Sequence, residues 1–165
     1  MHASMHAAMQ TSSAEPATVI ADGQPLTIED VVAVAHGHAS LRLSDADAFR
    51  GRITRGAELV DRLIAEDGVV YGVSTGYGDS CTVAIPPALV AELPRHLYSY
   101  HGVGLGRMLD PVETRAVLVA RLASLAQGVS GVSYGLLGQL AALLRHDILP
   151  RIPAEGSVGA SGDLT

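Results

Sequence analysis

The stretch Gly156-Ser157-Val158-Gly159-Ala160-Ser161-Gly162-Asp163-Leu164-Thr165 contains three residues whose types and spacing allow backbone chemistry. Its glycines permit a tight turn, and no bulky side chain keeps an amide from approaching a nearby carbonyl. In such a turn the Gly162 nitrogen can attack the Ala160 carbonyl with loss of water, closing a five-membered ring. Loss of the Ser161 hydroxyl as a second water leaves an exocyclic methylene. The product, methylidene-imidazolone, is a strong electrophile. Glycine suits the attacking position because a side chain would crowd the closure, and serine is needed for its eliminable hydroxyl. Taken without its neighbours, Ala-Ser-Gly is common and reads as an ordinary flexible loop. Asp163 reads either as the cap of a following helix, with its positive end towards the ring, or as a turn aspartate.

A second glycine-, serine- and threonine-rich loop, with Gly72, Ser74, Thr75, Gly76, Gly78 and Ser80, follows a short extended run of Val69, Val70, Tyr71 and Val73. Tyr71 reads either as a packed strand tyrosine or as a proton acceptor. A free phenol titrates near about 10, so the second role requires a site that favours phenolate or a strongly acidified substrate. Gly102-x-Gly104-x-Gly106 lacks the full spacing of a dinucleotide loop and the lysine of a P-loop. His36 and His38, on a short helix, are expected to point to different faces and make a poor metal site. His2 and His6 are read as incidental, and Cys81 as bystander packing.

Helices must position these loops. Thr27 with Asp30, ahead of Val31, Val32, Val34 and Ala35, predicts a capped short helix ending near Gly37. Ser44 as cap and Asp47 in the first turn predict a longer helix with Phe49, Ile53, Val60, Leu63 and Ile64 on one face, ending at Asp67-Gly68. Pro86-Pro87 opens a third through Leu89, Val90, Leu93 and Leu97, kinked at Pro94. Asp110-Pro111-x-Glu113 starts a helix reaching Gln127, and Ser133 caps an apolar one through Leu136, Leu137, Leu140, Leu143 and Leu144 that stops before Pro150. Those last two are too apolar all round to face solvent on one side, so a larger bundle is expected around them.

With 165 residues and 48% hydrophobic content, the chain can bury a sizeable core. A net charge of −6, with 11 Lys and Arg scattered along it, offers no basic stripe for nucleic acid. One cysteine excludes an internal disulfide framework and suits a reducing cytoplasm. No run of eighteen apolar residues and no basic-then-apolar leader appears, so a soluble cytoplasmic protein without a membrane span is expected. The first residues are small and polar, and positions 1–25 are read as a flexible tail.

Three ordered segments carry a family resemblance. Gly-Ser-Val-Gly-Ala-Ser-Gly-Asp-Leu at 156–164, Tyr-Gly-Val-Ser-Thr-Gly-Tyr-Gly at 71–78 and Leu-Ala-Ser-Leu-Ala-Gln-Gly-Val-Ser-Gly at 122–131 resemble segments of the histidine, phenylalanine and tyrosine ammonia-lyases. The resemblance covers roughly residues 26–165. It implies a mainly α fold, the N-terminal portion of a large ammonia-lyase-type helical bundle with short strands and a glycine-rich active-site loop. It implies that Ala160, Ser161 and Gly162 form the prosthetic ring without an external cofactor, that Tyr71 is the catalytic base, and that Tyr100, His101 and Gly78 contact substrate.

The implied reaction removes ammonia from an aromatic L-amino acid, histidine being favoured because His101 falls where histidine-specific members carry histidine. Tyrosine or phenylalanine comes next, because Tyr100 does not match that pattern. Ser74 stands where many members have asparagine, and Tyr77 where phenylalanine is usual. The resemblance further implies a homotetramer, a remaining C-terminal part that supplies a carboxylate-binding arginine and further tyrosines, and no activity from this segment alone. An aminomutase of the same family would use the same residues, and a non-catalytic assembly subunit would keep Ser161 intact.

Overall fold

The computed structural model describes residues 17–66, 68–102 and 104–156, apart from the side chains of Tyr100 and His101. Strand β1 (Ala17–Ala21), helix α1 (Ile28–Ala35) and strand β2 (Ala39–Leu43) form a unit in which the two strands pair in parallel, Ala17 opposite Ala39 and Ala21 opposite Leu43. Helix α2 (Asp47–Ala65) follows, then the loop segment, the short helices α3 (Pro87–Val90) and α4 (Leu93–His101), and strand β3 (Leu105–Met108). Helices α5 (Pro111–Ala126) and α6 (Tyr134–Arg145) precede strand β4 (Pro153–Glu155), which pairs antiparallel with β3.

The expected caps organise the helices. Thr27 and Asp30 form a reciprocal capping box: the Asp30 N–H donates to Thr27 Oγ1 at 3.1 Å, and the Thr27 N–H to Asp30 Oδ2 at 3.0 Å. The same exchange opens α5, where the Glu113 N–H donates to Asp110 Oδ1 and the Asp110 N–H to Glu113 Oε2, both at 2.8 Å. Pro111 sits at the first helical position, where its missing N–H is harmless. At α6 the Ser133 hydroxyl accepts from the Leu136 N–H.

The core is a cluster centred on α5. Val119, Leu122 and Ala126 are fully buried against Phe49 and Ile53 of α2, Leu137 of α6, Val34 of α1, and Ala39 and Leu41 of β2. Two arginines brace its rim. Arg52 donates to the Asp22 carbonyl at 2.6 Å, and Arg115 donates to Asp147 at 2.6 Å and to the Ala35 carbonyl at 3.3 Å. Among the described residues Leu59, Leu63, Val117 and Leu136 stay exposed, in keeping with helices made for a larger assembly.

Several expectations are corrected. Residues 17–25, assigned to a tail, form β1 and the turn leading out of it, because Ala17–Ala21 can pair along its whole length with β2; residues 1–16 lie outside the described residues. Both strands are five residues long, and β2 shows only two alternating buried positions, Ala39 and Leu41, too weak a period to read. Ser44 does not cap α2: its hydroxyl accepts from the Ala46 N–H, two residues early, and the cap position is Ala46. The proline segment breaks into two helices at Ala91-Glu92, since Pro94 falls in the first turn of α4, where proline is tolerated as a starter. His36 and His38 do not diverge; His36 lies at the C-cap of α1, and the two rings stack at 5.8 Å.

The packing can be tested at two positions. Leu122→Ala deletes a fully buried side chain at the centre of the core and is expected to destabilise the fold by about 2–5 kcal/mol in denaturant titration. The second position is Glu113, whose carboxylate is gripped by both terminal nitrogens of Arg107 on β3 at 2.6 Å each. The Arg107 bond, and then the Asp110 N–H, hold its pKa down at about 2. A depressed folded pKa means that the contribution is present above the ordinary carboxylate value and disappears as pH falls towards the folded one. The melting-temperature difference between the native chain and Glu113→Gln should therefore be largest above about pH 5 and shrink steadily below it.

Candidate active site

The chain between α2 and α3 makes a small self-bonded loop. Residues 71–74 form a turn, not the extended run expected from Val69 to Val73, closed by Val73 N–H and Ser74 N–H bonds to the Val70 carbonyl at 3.0 and 2.9 Å. Gly72 adopts φ +71°, a left-handed conformation that reverses the chain and that β-branched neighbours resist. A Cβ there would stand 2.8 Å from the Tyr77 ring. Thr75 then bridges to Ala84, with Gly76 N–H donating to the Val83 carbonyl at 3.0 Å and Ile85 N–H to the Ser74 carbonyl at 2.9 Å. Residues Gly78–Thr82 form a 3₁₀ turn between the two sides.

Tyr71 sits at the apex. It stands in a turn and is 63% exposed within this chain, unlike a packed strand tyrosine. The Gly78 N–H donates to Tyr71 Oη at 2.9 Å, and the Tyr77 ring meets that of Tyr71 edge to face at 6.3 Å. The phenol oxygen is thus held on one side by a fixed backbone dipole while the ring stays open to an incoming molecule. Two expected site residues, Tyr71 and Gly78, are brought together directly, though Gly78 touches the tyrosine where a substrate contact was expected. Cys81 lies exposed in the 3₁₀ turn and is not packed.

The backbone of Tyr100 and His101 ends α4, and β3 begins four residues later. β3 pairs with β4 through Leu105 opposite Glu155, so the chain entering the glycine-rich motif at Gly156 lies beside the strand that follows the Tyr100-His101 segment. Ala160, Ser161, Gly162 and Asp163 lie outside the described residues. No group of three or more His, Cys, Asp or Glu able to hold a metal ion occurs among the described residues. No helix among them is long and apolar enough to cross a membrane.

Sequence reasoning missed the roles of Ser74 and Thr75. The Ser74 hydroxyl accepts from the Val70 N–H at 2.9 Å and donates to the Gly68 carbonyl at 3.1 Å. Thr75 is 4% exposed; its hydroxyl accepts from the Gly72 N–H at 3.1 Å and donates to the Gly76 carbonyl at 2.9 Å. The available signal was the pair of adjacent hydroxyl residues, Ser74 four positions after Val70 and Thr75 three after Gly72, spacings at which side chains bond to the local backbone.

Comparison with known proteins follows the same boundaries. The family model for aromatic amino acid lyases matches residues 26–165. Histidine ammonia-lyase of Bos taurus is 39% identical over 151 residues, covering 91% of this chain and 23% of that protein. Among solved structures, tyrosine aminomutase from Streptomyces globisporus superposes with a TM-score of 0.79 at 32% identity, covering 87% of this chain and 27% of the other. Ergothionase from Treponema denticola, an ergothioneine-degrading enzyme, superposes at 0.81 with 30% identity, covering 90% and 29%. The chain thus spans about a quarter of the length of these relatives, and its mainly helical fold corresponds to their N-terminal part.

The loop geometry separates two glycines by experiment. Gly72→Ala meets both a left-handed φ and the Tyr77 ring, whereas Gly78→Ala meets a left-handed φ of +55° with nothing within 4 Å of the new carbon. Hydrogen exchange of the 71–78 amides should accelerate markedly in Gly72→Ala and only mildly in Gly78→Ala, where the cost is about 1–2 kcal/mol of backbone strain.

Proposed function

This chain belongs to the aromatic amino acid lyase family, and from that premise we propose that it is the N-terminal part of an enzyme that eliminates ammonia from an aromatic L-amino acid. Histidine is the favoured substrate, giving urocanate, with tyrosine or phenylalanine next. The observation that carries this reading is the exposed Tyr71 phenol held at its oxygen by the Gly78 N–H at 2.9 Å. An N–H donating to that oxygen fixes where the oxygen sits, and a proton acceptor must be held within reach of the proton it takes. Tyr71 would take a proton from the β-carbon of the substrate, and the open face of its ring leaves room for that approach.

The residues present fit a methylidene-imidazolone group. Ala160 has the carbonyl, Ser161 the eliminable hydroxyl and Gly162 the nitrogen free of a side chain. When formed, the group supplies an electrophile that makes the substrate amine a better leaving group. Pairing of β3 with β4 would carry that motif towards the Tyr100-His101 segment, whose side chains would select the substrate ring. An imidazole such as that of His101 both donates and accepts hydrogen bonds and so suits a histidine side chain. The rest of the enzyme, in a homotetramer, would supply the carboxylate contact; a lone cysteine accords with the cytoplasm as its compartment.

A second reading has support of its own. A tyrosine aminomutase is 32% identical to this chain and superposes on it, and an aminomutase would return the amine to the β-carbon. Product analysis distinguishes the two, since an aminomutase yields a β-amino acid and retains nitrogen.

The test is an intact mass with peptide mapping across residues 156–165 of the natively expressed, assembled protein, together with turnover of histidine, tyrosine and phenylalanine. The expected result is a deficit of two waters confined to Ala160-Ser161-Gly162, ammonia release with an arylacrylate product, and loss of turnover without loss of the ring in Tyr71→Phe. An unmodified tripeptide in folded, assembled protein overturns the reading and favours a non-catalytic assembly subunit.

A further inference from the structure

Tyr71 is 63% exposed, so little side-chain packing beyond the edge of the Tyr77 ring fixes its direction, and the Gly78 N–H and the backbone on which it stands must supply the rest. On that backbone the N–H of each residue flanking Tyr71 is tied to a hydroxyl. The Val70 N–H donates to Ser74 Oγ at 2.9 Å, and the Gly72 N–H donates to Thr75 Oγ1 at 3.1 Å. Each hydroxyl also donates onward, Ser74 to the Gly68 carbonyl and Thr75 to the Gly76 carbonyl, so neither is free to rotate away. Thr75 is itself anchored, buried to 4% exposure and bridged to Ala84. Gly72 is the left-handed hinge of the turn, and Thr75 is what holds its N–H.

We propose that Ser74 and Thr75 are positioning residues for Tyr71, their hydroxyls locking the N–H groups of the two flanking residues so that the phenol oxygen meets the Gly78 N–H and faces the substrate. This rests on the reading of Tyr71 as the base. Both hydroxyls are engaged with the loop backbone and so act through the tyrosine. Thr75→Val keeps the volume and removes the acceptor, leaving the Gly72 N–H unpaired in a part-buried loop. A small misplacement of a reacting group costs much in the rate and little in the binding of substrate.

The experiment compares Thr75→Val, Thr75→Ser, Ser74→Ala and Tyr71→Phe in the natively expressed, assembled protein. kcat is expressed per ring-containing subunit counted by mass spectrometry. The expected result is a kcat lowered about 10- to 100-fold in Thr75→Val with KM little changed, a smaller fall of the same kind in Ser74→Ala, and most of the rate restored in Thr75→Ser. If Thr75→Val does not assemble, Ser74→Ala with a lowered kcat and an unchanged KM supports the positioning role on its own. Thr75→Ser as impaired as Thr75→Val, or both Thr75→Val and Ser74→Ala turning over like the native enzyme while Tyr71→Phe is inactive, overturns the positioning role and leaves the base in place. Full turnover by Tyr71→Phe overturns the base reading itself.

Discussion

Burial of helix α5 is the constraint on which the described fold depends. Val119, Leu122 and Ala126 have no solvent exposure, and α1, α2, α6 and β2 each contribute a residue to the cluster around this row. A helix can be surrounded in this way only if its ends are fixed. At its start, the capping box of Asp110 and Glu113 satisfies two amides that would otherwise be orphaned. The Arg107 clamp on the same Glu113 ties β3 to that end. At the other end Arg52 reaches across from α2 to the turn beyond β1 and, more loosely, to the Ala126 carbonyl.

That clamp matters for the site because β3 is the strand that receives β4. Its register puts Leu105 opposite Glu155, so the entry to the glycine-rich motif is set by a strand whose own position is set by the start of α5. Tyr71 is positioned by another means, a loop bonded to itself through Ser74, Thr75 and the Thr75–Ala84 bridge. The proposed chemistry therefore draws on two independent supports, one transmitted from the core and one purely local.

The legible parts were those written in local chemistry. Thr27 with Asp30, Asp110-Pro111 and Ser133 announced three helix starts because capping depends on neighbours a few residues apart. β1 and β2 were illegible because their stability comes from one another across the intervening helix, and five residues carry too little alternation to show it. The glycine-rich run identified the Tyr71 loop, yet its shape was misread: Val69 to Val73 have the composition of a strand, and hydroxyl bonds from Ser74 and Thr75 bend them into a turn. The stacking of His36 on His38 was hidden for a related reason, since the helix that would have separated them stops at Ala35.

Among the described residues, none in the core cluster comes from the segment between α2 and α5. That segment carries Tyr71, Gly78, Tyr100 and His101, and it is tied to the edge of the core by the Arg107–Glu113 clamp without adding a residue to the cluster. Substitutions from Tyr71 to His101 leave the buried cluster around α5 untouched. In evolutionary terms, the part of the chain proposed to face substrate is free to diversify on a frame that need not be rebuilt each time.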